Sequence, residues 1–303
     1  MVFRGRLSPE EMFPAGHPEL RVYFARLASG LRVRVVEAGN VDSPSVLFLP
    51  GWGCSTYVFR ETLGPIAAAG YRAIAVDLQG HGLSDKPESA ASYTLVSMRG
   101  HVIDILDTLG LHQVRLAGLS MGAALAAHVA AELPERVLKV VLVSTVGFDG
   151  VPGLNLFQST TPASAIPILP RIATRSVLRI MLNGVYGKLR PFTARDVDEY
   201  WAPTQFPGFT RAMRHLLHEF SWNAAFPMLT MPCLVITGAS DHLARRGTVE
   251  ARVRVCPSME LMVVPGAGHV VFDEDPDLVN SAMVEFFRAD GAKAYISTQN
   301  DTS

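Results

Sequence analysis

The sequence is poor in cysteine and in charge and has no long apolar run. Its three cysteines, Cys54, Cys233 and Cys256, leave at least one unpaired and stand at no metal-binding spacing. Neither a disulfide framework nor a zinc site therefore organises the chain, and a reducing cytoplasm is the expected compartment. Charged residues make up 18% and the formal net charge is -1, so no polyanion is implied and nucleic acid is not expected as a partner. The opening "MVFRGRLSPEEMF" lacks the apolar core of a leader. The best spanning candidate, "LAGLSMGAALAAHVA" at 116–130, falls short of the roughly 20 residues a bilayer needs and contains Ser120 and His128. No membrane partner is expected. Repeats and low-complexity tracts are also missing, and the polar segment 291–303 is expected to fray.

What the chain does have is 49% hydrophobic residues over 303 positions, enough for a large buried core. "RVYFARLASGLRVRVVEAG" reads as two strands with a turn at Ser29-Gly30. Six further apolar runs follow: "SVLFLPGWG", "YRAIAVDLQG", "QVRLAGLS", "VLKVVLVSTVG", "PCLVITGASD" and "ELMVVPGAGH". Continuous runs predict strands buried on both faces. Helical patterns alternate with them at 57–69, 94–109, 121–133, 245–255 and 276–288. The fold class is α/β, a doubly wound, mostly parallel eight-stranded sheet with functional residues at the carboxyl ends of the strands. Between 147 and 226 no strand is evident, and prolines break up helical pieces such as "RIATRSVLRIML", "ARDVDEYWA" and "FTRAMRHLLHEFSW". This stretch is expected to be a helical cap over the strand ends. It divides the core into 1–146 and 227–290.

Gly118-Leu119-Ser120-Met121-Gly122 is a G-x-S-x-G sequence between an apolar strand and a helical run. A nucleophile on so tight a turn needs small neighbours two residues to either side, and the helix behind it favours developing negative charge. Serine needs a base. His269, in a glycine-rich loop after the last strand, ends at the same sheet edge. Asp241, after the preceding strand, is the candidate orienting acid, and Asp149, after "VVLVSTVG", is the alternative.

With "GLSMG", "DLQGHGLSD", "GASD" and "GAGH" in this order, the chain resembles the α/β-hydrolase superfamily over 20–288. The resemblance implies Ser120 as nucleophile, His269 as general base and then acid, and Asp241 as the orienting carboxylate. It also implies an oxyanion hole made by the main-chain N–H groups of Met121 and of Trp52, in the loop after "VLFLP". That loop departs from the family's usual His-Gly, because Pro50 has no N–H. The Trp52 indole is expected to shape the acyl side of the pocket. His81 and Asp77 are expected to brace a loop, and His242 is not expected to act as the base. Cys54 is either a packed small residue or a thiol of lowered pKa.

These readings imply a cytoplasmic, cofactor-free serine hydrolase acting on a small-molecule carboxylic ester. A serine at this position argues against epoxide hydrolase and haloalkane dehalogenase relatives, which use aspartate. A carbon–carbon bond hydrolase, a cofactor-free perhydrolase and a non-catalytic small-molecule binding protein on the same fold remain alternatives. Arg171, Arg175 and Arg179, four residues apart, would form one basic stripe if helical. Such a stripe is a solvated face, or a site that receives an acidic carrier protein or an anionic substrate.

Overall fold

The computed structural model describes residues 7–148 and 150–289. The alternative acid Asp149 and the segment 291–303 lie outside these residues. All eight expected strands form: β1 (Arg21–Arg26), β2 (Arg32–Ala38), β3 (Ser45–Leu49), β4 (Arg72–Val76), β5 (Val114–Leu119), β6 (Val137–Val143), β7 (Cys233–Gly238) and β8 (Met259–Val264). They make one sheet in the order β1-β2-β4-β3-β5-β6-β7-β8, in which only the pairs β1–β2 and β2–β4 are antiparallel. The β1–β2 hairpin turns at Gly30, whose φ of 85° a side chain would resist. Asp104 anchors that turn by accepting from the N–H groups of Ala28 and Ser29.

The helices are α1 (Leu63–Ala68), α2 (Leu95–Thr108), α3 (Met121–Glu132), α4 (Leu154–Ser159), α5 (Leu169–Ile172), α6 (Arg175–Val185), α7 (Ala194–Trp201), α8 (Phe209–Glu219), α9 (Arg246–Arg254), α10 (Val271–Glu274) and α11 (Pro276–Arg288). The period-2 alternation of the strands sends neighbouring side chains into two separate cores. Leu47 and Leu49 of β3 join α2 and α3 residues such as Val102 and Leu125 on one face. Val46 and Phe48 join Leu63, Ile66, Met283 and Phe287 of α1 and α11 on the other. Every residue of β3 and β7 is buried, which is why these segments read as unbroken apolar runs.

Helices α4 to α8 intervene between β6 and β7, and among the described residues of this insertion there is no strand. Two sequence expectations need correction. The pattern at 57–69 is not one helix but a 3-10 turn, Thr56–Phe59, followed by α1. Pro65 has no N–H and would clash with the carbonyl four residues before it, so a helix begun at 57 cannot continue past it, whereas the first turn of α1 accommodates it. Likewise "RIATRSVLRIML" is split into α5 and α6. Thr174 lies between them in an extended conformation, and its side chain caps the N-terminus of α6 by accepting from Val177 N–H. The N-terminal segment, which carried no motif, buries Met12 and Phe13 and donates Phe13 N–H to Glu199 of α7 at 2.9 Å.

Candidate active site

Four parallel strands, β3, β5, β7 and β8, deliver the site from their carboxyl ends. Ser120 follows β5 directly with φ 55° and ψ -114°, a strained conformation for a residue with a side chain. The flanking glycines are there because nothing else fits. A Cβ on Gly118 would lie 2.4 Å from the Gly122 carbonyl oxygen, and one on Gly122 would lie 2.2 Å from that of Leu49. The sharp turn therefore lets β5, α3 and the end of β3 meet at backbone contact. The N-terminus of the twelve-residue α3 starts immediately after Ser120.

Asp241 and His269 come together as the sequence implies. The Asp241 Oδ2 lies 2.9 Å from His269 Nδ1. A carboxylate only accepts, so Nδ1 carries the hydrogen and Nε2 is left with its lone pair. Asp241 Oδ1 accepts from the N–H groups of Leu243 (2.8 Å) and Ala244 (2.9 Å). Burial alone pushes this carboxyl up. The adjacent His269, through its charge and hydrogen bond, and the two main-chain donors outweigh burial and hold it below the ordinary carboxylate range. His242, next in sequence, is exposed.

Ser120 and His269 line one cavity of about 350 Å³, and Asp241 stands behind His269 outside its wall. Trp52 and Gly53 line it too, whereas the Met121 side chain is fully buried elsewhere and only its main-chain N–H adjoins Ser120. Gly51 to Cys54 form a four-residue turn closed by Cys54 N–H on the Gly51 carbonyl at 3.1 Å. Gly53 supplies the positive φ (77°) that the third position of such a turn requires. This turn uses neither Trp52 N–H nor the N–H that Pro50 lacks. A Cβ on Gly51 would stand 3.3 Å from that of Ser120, so the loop passes directly over the serine. The Trp52 indole lines the cavity and donates to the Met213 carbonyl of α8 at 2.9 Å, so it also ties the loop to the insertion.

Most of the remaining wall is apolar and comes from the insertion: Leu154, Phe157, Leu178, Met181, Leu182 and Trp222 among others. Apart from His269, the described residues that line the cavity include no lysine, arginine, aspartate or glutamate. Cys54 also lines it, but its thiol is not activated. Burial and then the charge of Asp273 push it up to about 12, against a weaker opposing hydrogen bond with Gly51.

The bracing residues behave as expected. Asp77 is fully buried and accepts from Thr56 N–H (2.7 Å) and Leu83 N–H (2.9 Å), locking the loop after β4 to the turn after β3. Burial pushes His81 down to about 4, more strongly than its hydrogen bond with the Gln79 carbonyl raises it, so it is a neutral structural ring. The basic stripe needs correction: Arg171 belongs to α5, Arg175 and Arg179 to α6, and Arg175 pairs with Asp198 at 2.6 Å.

One set of contacts carried no readable sequence signal. His269 N–H donates to the Val185 carbonyl at the end of α6 (2.7 Å), and Lys188 N–H donates to Gly266 (3.2 Å). Glu274 accepts from Gly268 N–H through one oxygen and from Gly187 N–H through the other, both at 2.8 Å. The insertion and the histidine loop are thus bound into one unit. Behind them Arg60 bridges Asp273 (2.7 Å) and Asp196 (2.9 Å).

A sequence profile described as the alpha/beta hydrolase fold matches residues 44–276. The chain is 27% identical over 279 residues to the AB hydrolase superfamily protein YfhM of Bacillus subtilis (strain 168), covering 86% of this chain and 96% of that protein. It is 28% identical over 275 residues to the 2-(acetamidomethylene)succinate hydrolase of Mesorhizobium japonicum, covering 86% and 92%. Among solved structures, an epoxide hydrolase from hot-environment metagenomes superposes with a TM-score of 0.77 at 22% identity, over 89% of this chain and 99% of that one. At that identity the likeness is one of fold.

Proposed function

This chain belongs to the α/β-hydrolase family and is a hydrolase; on that premise we propose that it cleaves neutral, apolar carboxylic esters through an acyl-enzyme on Ser120. The observation that carries this reading is the 2.9 Å Asp241–His269 bond behind a cavity that Ser120 and His269 share. With Nδ1 committed to Asp241, His269 Nε2 takes the proton from Ser120 Oγ as the oxygen attacks the ester carbonyl. The carbonyl oxygen becomes an oxyanion, received by the main-chain N–H of Met121, unpaired in the first turn of α3, and that of Trp52. Collapse of the tetrahedral species breaks the carbon–oxygen bond, and His269 returns the proton to the leaving alcohol. Water, deprotonated by the same nitrogen, then releases the acid and restores Ser120. Asp241 stays ionised and stabilises the imidazolium that forms in each half-reaction. In this reading the segment 147–226 acts as a cap whose apolar wall selects the acyl group and excludes water.

The choice of a neutral ester rests on the cavity's charge. A hydrolase for a succinate-type substrate, such as the Mesorhizobium japonicum relative, must accommodate carboxylates. Here the described wall offers no lysine or arginine to receive one, and burying an unpaired carboxylate is costly. A panel of neutral p-nitrophenyl esters of increasing acyl length, set against an anionic carbon–carbon bond hydrolase substrate bearing a dienoate, tests the reading. Faster turnover of the neutral esters is expected. A preference for the dienoate would replace this reading with carbon–carbon hydrolysis.

A further inference from the structure

Between residues 150 and 193 the chain carries five cationic residues, Arg171, Arg175, Arg179, Lys188 and Arg190, and no aspartate or glutamate. The same stretch exposes large apolar side chains: Leu156 is 72% and Ile180 69% accessible, and Ile168, Ile172 and Val177 are exposed as well. Helices α4 and α5 bury none of their residues. Two members of this exposed set, Phe157 and Met181, also line the cavity that holds Ser120, so the outer apolar face continues into the inner wall.

Arg175 pairs with Asp198 at 2.6 Å and Arg190 lies 3.7 Å from Glu61, so the outer face is apolar and predominantly, not wholly, cationic. Such a face fits an anionic lipid surface. We infer that α4, α5 and α6 dock peripherally on an anionic lipid surface and that apolar substrate passes from it into the cavity between Phe157 and Met181. The second half of this statement rests on the ester hydrolase reading; the first does not. A bilayer receives scattered apolar side chains without a matching contour, while the arginines meet lipid phosphates. A second copy of this chain would set this face's cations against their own kind. An acidic carrier protein would pair with the arginines but would need its own apolar counterpart for Leu156 and Ile180. The expectation of no membrane partner rested on spanning length, and among the described residues no helix is long and apolar enough to cross a membrane. Peripheral docking needs no such helix.

Sedimentation with large vesicles tests the inference on the full chain carrying Ser120→Ala, so that hydrolysis plays no part. Vesicles of phosphatidylglycerol and phosphatidylcholine should pellet the protein, and vesicles of phosphatidylcholine alone should pellet much less. Raising salt to about 0.5 M, where screening is short-ranged, should release much of it. Arg179→Ala should weaken binding roughly fivefold, the worth of one cation near an anionic surface. The pair Leu156→Ser and Ile180→Ser should weaken it further. In the background with Ser120 intact, these surface variants should cleave a short soluble p-nitrophenyl ester at the original rate. Three results would overturn the docking: no pelleting on anionic vesicles, equal pelleting of the surface variants, or a lipid-free dimer abolished by those same variants. Absence of ester turnover with vesicle binding intact would instead remove the hydrolase reading and leave the surface assignment standing.

Discussion

Ser120 is the residue on which strain, position and chemistry converge. Its positive φ costs stability that the surrounding backbone contacts must offset, and the turn tolerates a methyl group in place of the hydroxymethyl. Ser120→Ala should therefore fold, with an unchanged circular dichroism spectrum, and lose esterase activity down to the residual about 10³–10⁴-fold over water that the oxyanion donors alone sustain. Asp241→Asn should lower kcat by on the order of 10⁴, since the amide favours the wrong tautomer of His269. The acid side has a sign as well. Because the Asp241 carboxyl is held below its ordinary value, the stability it contributes is full above that ordinary value and is lost as pH falls through the lower folded one. Acid unfolding of the wild type should show this loss, and that of the asparagine variant should lack it. For Trp52 the main chain and the ring separate cleanly. Trp52→Ala keeps the N–H but cuts the bond to Met213, so it should widen acyl preference and loosen the hold on α8. Trp52→Pro removes the donor and should cost about 10²–10³ in kcat on a small ester, roughly 3–4 kcal/mol, provided melting shows the variant folded.

At the scale of elements, the strand-to-helix turn and the histidine loop are held by backbone contacts that leave no room for a side chain. Gly122→Ala places a Cβ 2.2 Å from the Leu49 carbonyl, an obstacle of rigid backbone. Overpacking of this kind costs about 1–3 kcal/mol or more, and the variant should melt well below the wild type. The Glu274 bridge is different, since its two oxygens serve the insertion and the histidine loop separately. Glu274→Gln must turn an NH₂ toward one of two N–H groups, leaving a donor unpaired at about 1–3 kcal/mol. A fall in kcat with a nearly constant KM is expected, because the loop that aims His269 is disturbed while the apolar wall is not. A purely structural role would lower the melting temperature and leave kcat per folded molecule unchanged. These elements also mark what the sequence disclosed. The strands were legible because β3 and β7 are buried on both faces and carry no charged residue. Gly118 and Gly122 were legible because close approach restricts the choice of residue so severely. Glu274 was not, since a carboxylate bonding main-chain N–H groups leaves no pattern in the partner residues. The break at Thr174 was obscured by an apolar period that continues across it.

In the whole molecule, order within the sheet and the seating of the insertion depend on contacts between residues far apart, which no local pattern encodes. The sequence pointed to a strand-free stretch between β6 and β7 but not to where it is fastened. Val185 to Lys188 are tied to the histidine loop, whereas α4 and α5 bury no residue. Limited proteolysis should therefore cut first within 150–174 and spare 185–190, and a covalent group on Ser120 should change the early cutting by filling the cavity those residues enclose. The central claim, an acyl-enzyme on Ser120 raised by His269, is tested most directly by intact-mass analysis and peptide mapping after brief exposure to a fluorophosphonate. One phosphonyl group on Ser120 is expected, absent in Ser120→Ala and formed far more slowly in His269→Ala. An unlabelled protein that still cleaves esters, or a label on any other residue such as Cys54, would contradict it.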